Sequence, residues 1–343
     1  MQGEDQQMPD ETDLIRKLTR AIPSFVGTKG LIVGVPFGIG DDAAVLRARA
    51  GMEWAVTVDA FVEDVHFWVG RHPADSVGYK ALARATSDLA AMGAKPRFFV
   101  LTLALPRAQT GAWLDQMAAG MGRAARALGL KLVGGDTTRA QAVSISITVI
   151  GEIAPGRALT RTGARPGDTV FVSGRLGEAA LGLELVRRGF FGDRRMFDPV
   201  ARHLYPEIRV ELGAWLSRNR HATAMIDISD GLSTDLARVC DAGSVGARLY
   251  AEKIPCVEIS AEIAKRLGKQ LPNPLKMALH GGDDYELLFT VPKRYVPKLI
   301  GKPAFKKAVA IGEIVPGSGI SLVGEDSKET KLAAGGWDPF REK

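Results

Sequence analysis

The chain has 343 residues, enough for two ordinary domains, and its 46% hydrophobic and 24% charged residues are typical of a globular protein. No apolar run approaches the roughly 20 residues that a membrane-spanning helix needs, and the polar amino terminus does not resemble a signal peptide. The two cysteines, Cys240 and Cys256, predict neither a disulfide framework nor a thiolate metal site. We therefore expect a cytoplasmic protein that does not bind membranes.

The net charge of +6 lies entirely in residues 153–343, because acidic and basic residues balance in 1–152. The basic residues are scattered, with no nucleic-acid motif, so a nucleic-acid partner is not expected. A basic half beside acidic loops suits a polyphosphate substrate, and an ordinary solvated surface would explain the same charge.

Hydrophobic periodicity predicts strands and helices that alternate along the whole chain. The predicted elements are, in order, a strand over 54–61, helices over 75–94 and 111–129, strands over 143–150 and 168–173, helices near 177–189, 206–218 and 231–242, and a β-α-β stretch from Glu286 onward. The helix over 111–129 has the clearest apolar stripe, and Gly129 lies where a helix ends.

A short internal repeat indicates the domain organisation. The sequence IGEIAPG at 150–156 returns as IGEIVPG at 311–317, and each copy ends a β-rich run before turn residues. We interpret the two copies as the closing strands of two domains. The prediction is a mixed α/β protein with an N-terminal domain over 1–152 and a C-terminal domain over 153–343.

Acidic residues are concentrated in short glycine-containing or strand-end segments. These segments are 38–42, 58–66, 87–89, 134–138, 226–231 and 281–286. Neighbouring carboxylates repel each other unless a cation or a hydrogen-bond donor relieves them, and glycine lets a ligand approach the backbone closely. Carboxylates and hydroxyls without cysteine form an oxygen site suited to Mg²⁺, which completes its shell with water and phosphate oxygens.

Each segment also has a purely structural explanation. A Gly-Asp pair is an ordinary turn former, Asp230 could cap the helix that follows it, and Asp88 could face solvent from its helix. His66 and Trp337 could likewise be structural residues. The number of such segments at the ends of strands and helices favours the functional interpretation.

Several common motifs do not occur in the sequence. There is no G-x-x-x-x-G-K-[ST] phosphate loop and no G-x-G-x-x-G dinucleotide fingerprint. Neither G-x-S-x-G nor H-E-x-x-H is found, which disfavours serine hydrolases and zinc proteases. A nucleotide would therefore be bound through the carboxylate loops.

Taken in order, these segments resemble the thiamine-monophosphate kinase family, which belongs to the superfamily of aminoimidazole ribonucleotide synthetase. The resemblance extends from about residue 13 to 340. It rests on GIGDDA at 38–43, SDLAAMG at 87–93, GGDTTR at 134–139, ALTRTG at 158–163, IDISDG at 226–231, GGDDYEL at 281–287 and GWDPF at 336–340.

The resemblance implies an N-terminal α/β domain that pairs with a second copy in a dimeric β-barrel, and a C-terminal α+β domain. It implies transfer of the ATP γ-phosphoryl group to thiamine monophosphate, the final step of thiamine diphosphate biosynthesis, in a Mg²⁺-dependent homodimer. We further expect direct in-line transfer without a covalent or general-base residue, because the acceptor phosphate is already largely ionised near neutral pH. The implied magnesium ligands are Asp42, Thr57, Asp59, Asp88, Asp136, Asp227 and Asp230. The implied ATP contacts are Gly135, Asp136, Arg161 and Ser229, and the implied substrate contacts are His66, Asp283 and Trp337.

Three residues depart from the family pattern. Val58 replaces a hydroxyl residue, Asp283 replaces glutamate, and Asp64 replaces glycine beside His66. Two other interpretations stay open at this point. One is a sister enzyme of the same fold that activates an oxygen on another substrate, although the internal Cys240 and Cys256 do not match the terminal cysteines of the selenium- and hydrogenase-linked sisters. The other is a non-catalytic nucleotide-binding or metal-binding regulator, which would release no ADP.

Overall fold

The computed structural model describes residues 11–26, 35–36, 38–39, 43–190 and 197–340. The chain divides into two units. The first takes its described residues from Met1–Ala50, Val56–Ala85 and Arg97–Ile150, and the second from Gly51–Ala55, Thr86–Pro96 and Gly151–Lys343. Both contain helices and strands, which confirms the predicted mixed architecture.

The described helices are α1 Glu11–Ala21, α2 Ala74–Met92, α3 Ala112–Leu128, α4 Glu178–Arg187, α5 Phe197–Leu204, α6 Val210–Asn219, α7 Leu232–Gly243, α8 Ala261–Leu267, α9 Pro274–His280 and α10 Val296–Leu299. The described strands are β1 Glu53–Val62, β2 Lys95–Leu105, β3 Lys131–Arg139, β4 Ser144–Ile153, β5 Asp168–Val172, β6 Ala224–Ile228, β7 Gly246–Tyr250, β8 Glu286–Pro292, β9 Val309–Val315, β10 Gly319–Val323 and β11 Glu329–Leu332. All the predicted strands and the long helices are present. Helices α1, α5, α8 and α9 were not predicted. The last three have only seven or eight residues, too few to establish a helical period.

A four-stranded sheet, in the order β1-β4-β2-β3, has one buried face. Along β4, the side chains of Ile145, Ile147 and Val149 are buried while their neighbours are partly exposed. Strands β2 and β3 are parallel and place Thr102 opposite Asp136. Over the residues that the structure describes, this sheet is open and does not close into a barrel.

Helix α3 follows its predicted pattern closely. Leu114, Met117 and Met121 are fully buried, and Gly129 ends the helix with a left-handed φ of 71°. A β-carbon on Gly120 would lie 1.8 Å from the backbone oxygen of Asp75, so glycine permits α3 to approach α2 there.

A seven-stranded mixed sheet, in the order β11-β10-β7-β9-β5-β8-β6, organises the second unit. Its apolar core includes Val170, Ile226, Leu236 and Leu288. The prediction that the repeat at 311–317 closes the second domain is wrong. The repeat lies on β9, inside this sheet between β7 and β5, and β10 and β11 follow it. A local sequence repeat carries no information about strand order, which is decided by long-range pairing.

None of the described helices has the length and apolar character needed to span a bilayer. Both cysteines lie in the described part of the chain and are unpaired, as the sequence predicted.

Candidate functional site

The loop after β6 is organised by a buried carboxylate on the helix that follows. One oxygen of Asp235, Oδ2, accepts the backbone N–H groups of Ser229, Asp230 and Gly231 at 3.1, 3.0 and 3.1 Å. The residue that caps the beginning of α7 is Gly231, and the Asp230 side chain bonds Arg238, so the structural explanation of Asp230 as a helix cap is wrong. Asp235 is fully buried and shapes this loop from within the first turn of α7.

Arg238 joins two carboxylates of this loop region. Its Nη2 lies 2.6 Å from Oδ2 of Asp230, and its Nη1 lies 2.6 Å from Oδ1 of Asp235. Burial, and after it the negative charge of Asp230, raises the pKa of Asp235 to about 6. Asp235 therefore remains mostly ionised at neutral pH, as its donors require.

Two further carboxylates meet at the end of β6. Asp227 is 3% exposed and accepts the hydroxyl of Ser87 at 2.7 Å. Burial, and after it the negative charge of Asp88, raises the pKa of Asp227 to about 7. The electrostatic strain between Asp88 and Asp227 is the kind that a divalent cation relieves.

The loop before β8 is bonded directly to the loop after β6. The N–H groups of Asp283 and Tyr285 donate to the carbonyls of Ser229 and Ile228, each at 2.8 Å. Asp283 and Tyr285 have left-handed φ values of 70° and 50°, which non-glycine residues adopt at an energetic cost. This unusual backbone directs Asp283 toward two side chains of the same unit.

One of those side chains bonds the carboxylate of Asp283, and the other lies near it. The Tyr285 hydroxyl donates to Oδ1 at 2.8 Å, and Nδ1 of the buried His203 lies 3.8 Å from Oδ2. The Asp283 side chain is 31% exposed, so it remains accessible to a ligand. Asp283 is therefore a positioned, partly exposed acid.

The segment that carries Trp337 packs on the beginning of α7. The N–H of Trp337 donates to the carbonyl of Asp230 at 2.9 Å, and the N–H of Gly336 donates to Oγ1 of Thr234 at 3.0 Å. A β-carbon on Gly336 would lie 2.0 Å from the Asp230 oxygen, so only glycine fits there. The second unit thus brings together Asp88, Asp227, Ser229, Asp230, Asp283 and Trp337.

The residues after Asp283 support this arrangement. Asp284 accepts the N–H groups of Gly177 and Ala179 at the beginning of α4, at 2.7 and 3.2 Å. Burial raises the pKa of Asp284 to about 8. Glu286 forms an ion pair with Arg209. These contacts anchor the C-terminal side of the Asp283 loop within the second unit.

The first unit contains Thr57, Asp59 and His66. Asp59 on β1 forms an ion pair with Nε of Arg84 at 2.7 Å. Nδ1 of His66 accepts the N–H of Val62 at 3.0 Å, which fixes the ring in a tight turn. Asp64, in the same turn, has a left-handed φ of 64°. That conformation favours glycine, which gives a physical reason for the glycine of the family pattern.

Gly135 and Asp136 lie on β3 and are both exposed. A β-carbon on Gly135 would lie 2.1 Å from the carbonyl oxygen of Leu101 on the neighbouring strand. Asp42 lies outside the described residues.

Arg161 belongs to the second unit but lies at a distance from Ser229. It is exposed in a short 3₁₀ helix beside the beginning of β6, where the Met225 N–H donates to the Thr160 carbonyl. Ser229 follows the other end of that strand, about 13 Å from Met225 at the usual rise per residue. The two predicted ATP contacts therefore lie at opposite ends of β6.

The donor set fits magnesium better than zinc. Within the described ranges no group of three or more His, Cys, Asp or Glu side chains is arranged to enclose a metal ion. The Asp88–Asp227 pair matches the one or two carboxylates by which Mg²⁺ is usually held, with water and phosphate oxygens completing its shell.

Known proteins match nearly the whole chain. The family models described as AIR synthase related protein, N-terminal domain and C-terminal domain, match residues 40–153 and 165–325. A thiamine-monophosphate kinase of Bacillus subtilis (strain 168) is 38% identical over 286 residues, covering 82% of this chain and 83% of that protein. The chain belongs to the thiamine-monophosphate kinase family.

Solved structures of the family have the same fold. The thiamine-monophosphate kinase of Stenotrophomonas maltophilia K279a has a TM-score of 0.75 and 37% identity, covering 85% of this chain and 92% of that one. A structure named AaThiL, complexed with AMPPCP and TMP, has a TM-score of 0.73 and 29% identity, covering 96% of this chain and 97% of that one.

Sequence reasoning missed four residues of this region, Asp235, Arg238, His203 and Tyr285. An acid in the first turn of a predicted helix could have indicated Asp235, since that position interacts with the unpaired N–H groups there. Tyr285 lies inside the motif at 281–287. His203 gave no sequence signal, because its position depends on the packing of α5.

Proposed function

We propose that the protein transfers the γ-phosphoryl group of ATP to thiamine monophosphate, giving ADP and thiamine diphosphate, with Mg²⁺ as the metal. The observation that carries this proposal is the meeting of three segments, 227–231, 281–285 and 335–337, through backbone hydrogen bonds in one unit. Membership of the family adds to it, as do the ligands named for AaThiL, AMPPCP and TMP.

In the proposed complex, Ser229, Gly135, Asp136 and Arg161 bind ATP, and His66, Asp283 and Trp337 bind thiamine monophosphate. The thiazolium ring of thiamine is a cation. It would find a partly exposed carboxylate in Asp283 and an aromatic face in Trp337.

The proposed magnesium ligands are Asp42, Thr57, Asp59, Asp88, Asp136, Asp227 and Asp230. When bound, Mg²⁺ supplies positive charge that offsets the repulsion between two polyanionic substrates. The chain's part is to hold carboxylate oxygens where that charge is needed, and the buried Asp227 beside Asp88 suits this role.

The proposed transfer is direct and in line. The acceptor phosphate is already largely ionised near neutral pH, so the reaction requires no strong general base. The protein therefore contributes orientation of the two phosphates and exclusion of competing water, and no covalent enzyme intermediate is proposed.

We also propose that the protein is a homodimer in which a second copy covers the exposed side of the four-stranded sheet. Val56 and Val58 on β1 are 63% and 64% exposed. β1 is an edge strand, and exposed apolar side chains there favour association.

The proposal is tested by incubating the protein with MgATP and thiamine monophosphate and separating the products by chromatography. Thiamine diphosphate should form in equal amounts with ADP, and omission of Mg²⁺ should abolish it. Free thiamine and aminoimidazole ribonucleotide precursors serve as control acceptors. Failure to form thiamine diphosphate with any divalent metal would refute the assignment, and ADP formation with another acceptor would favour a sister enzyme.

A further inference from the structure

Arg238 is anchored on one carboxylate and directed at another. Asp235 is buried and already receives three backbone N–H groups on Oδ2, so it is a fixed support for the guanidinium at its Oδ1. The other guanidinium nitrogen, Nη2, lies 2.6 Å from Oδ2 of Asp230, whose side chain is 22% exposed. The positive charge of Arg238 is therefore held firmly beside the Asp230 carboxylate.

A guanidinium and a divalent cation compete for a carboxylate. Arg238 already occupies Oδ2 of Asp230, and a cation bound to the same carboxylate would be repelled by the guanidinium charge a few ångströms away. Because Asp230 and Arg238 are partly exposed, water and salt weaken the repulsion, and we expect about a tenfold effect on cation affinity.

The Asp88–Asp227 pair differs in its charge balance. Asp227 accepts the neutral hydroxyl of Ser87 at 2.7 Å, and the negative charge of Asp88 acts on the same carboxylate. A cation would be attracted to these two carboxylates without a nucleotide. At Asp230, the arginine offsets the carboxylate charge, and the phosphates of a nucleotide would supply the additional oxygens and negative charge.

We propose that Arg238 makes cation binding at Asp230 dependent on nucleotide, so that the ion at Asp230 enters only with the nucleotide phosphates. This inference rests on the proposed function, because it takes Asp230 as a magnesium ligand. It assigns to Arg238 a positioning role that acts through Asp230, without contact with the substrate.

The experiment counts bound ions directly. The metal-free full-length protein is titrated with Mn²⁺, with and without a non-hydrolysable ATP analogue, and free Mn²⁺ is measured by electron paramagnetic resonance. Over the titrated concentrations, the wild-type protein should bind additional Mn²⁺ only with the analogue. Without the analogue, Arg238→Gln should bind one of these ions with a Kd about tenfold lower than that of the wild type.

Two controls test the charge and the location. Arg238→Lys keeps the positive charge and should retain the nucleotide dependence. Arg248→Gln removes an arginine that also joins two acids, Glu313 and Glu329, in the same unit, and should leave all Mn²⁺ binding unchanged. An additional nucleotide-independent ion in Arg248→Gln, or the absence of such an additional ion from folded Arg238→Gln, would overturn the proposal.

Asp230→Asn gives an independent test if Arg238→Gln does not fold. It should abolish one nucleotide-dependent ion and leave the nucleotide-independent ions in place. Loss of a nucleotide-independent ion instead would overturn the inference. The ion count requires no turnover, so failure to make thiamine diphosphate would refute the proposed function without deciding this result.

Discussion

The buried carboxylates of the second unit are balanced in different ways. Asp235 is surrounded by three N–H groups and an arginine, and Asp284 by two N–H groups at the beginning of α4. Asp227 has a hydroxyl donor and a second acid beside it. The donors around Asp235 and Asp284 stabilise their loops, whereas a cation bound beside Asp227, as proposed, would favour its ionised form.

This difference predicts a pH effect on stability in buffer free of divalent metals. The folded pKa of Asp227 is raised to about 7 from an ordinary 3.8, so the folded state binds more protons than the unfolded state between those values. The extra bound proton stabilises the folded state at low pH, and this contribution to the free energy of unfolding is lost as pH rises from about 4 to about 7.

Asp227→Asn should therefore gain stability relative to the wild type over that pH range, as measured by urea unfolding at each pH. Mg²⁺ added at pH 8 should stabilise the wild type more than the variant. Asp168→Asn alters another buried aspartate, bonded to Thr223, and should respond to Mg²⁺ as the wild type does. A stability difference for Asp227→Asn that does not change with pH would contradict the assignment.

A second prediction concerns turnover. Asp88→Asn and Asp136→Asn should each lower the rate of thiamine diphosphate formation by orders of magnitude, because each removes a charge proposed to hold Mg²⁺. Circular dichroism should show an intact fold. Asp115→Asn, on the exposed side of α3 beside Lys17, is the control and should retain activity. Activity like that of the wild type in both site variants would exclude the metal-cluster hypothesis.

At the scale of elements, the loop between α9 and β8 determines where the proposed substrate acid lies. Its two left-handed residues, Asp283 and Tyr285, are bonded to the loop after β6, so the two loops form one structure. The sequence identified both segments from their glycines and acids. The contact between the two loops depends on the antiparallel pairing of β6 with β8, which places the loops at the same end of the sheet.

Tyr285→Phe should test this positioning. Loss of the hydroxyl that donates to Asp283 removes a charge-assisted hydrogen bond, worth about 1.5–3 kcal/mol, or about ten- to hundredfold in binding. We expect the KM for thiamine monophosphate to rise while the KM for ATP changes little. Tyr295→Phe, in which the altered ring contacts Arg294 elsewhere, should leave both KM values unchanged. An equal rise in both KM values would indicate a general loss of structure.

At the scale of the whole molecule, the exposed valines of β1 predict the oligomeric state. Val56→Asp should convert a dimer to a monomer, because it places a charge on the face that a second copy would cover. Light scattering after size exclusion measures the mass. Ile300→Asp alters a side chain that is 70% exposed in the other unit and should leave the dimer intact. A wild-type protein that is monomeric at all concentrations would contradict the proposal.

Local chemistry in the sequence determined much of this protein. The apolar stripe of α3, its terminal Gly129, and the alternation along β4 follow from side-chain period and backbone conformation. The acidic segments indicated magnesium chemistry because neighbouring carboxylates repel each other unless a cation or a hydrogen-bond donor relieves them. Order along the chain was enough to identify the family.

Only the tertiary structure decided which groups meet. Strand order placed the repeat at 311–317 inside a sheet, and the same sheet joined the loops of Ser229 and Asp283. Packing of α5 brought His203 to Asp283, and α7 directed Arg238 at Asp230. These contacts join residues separated along the chain or across a helix terminus, so their geometry depends on the assembled sheet and core.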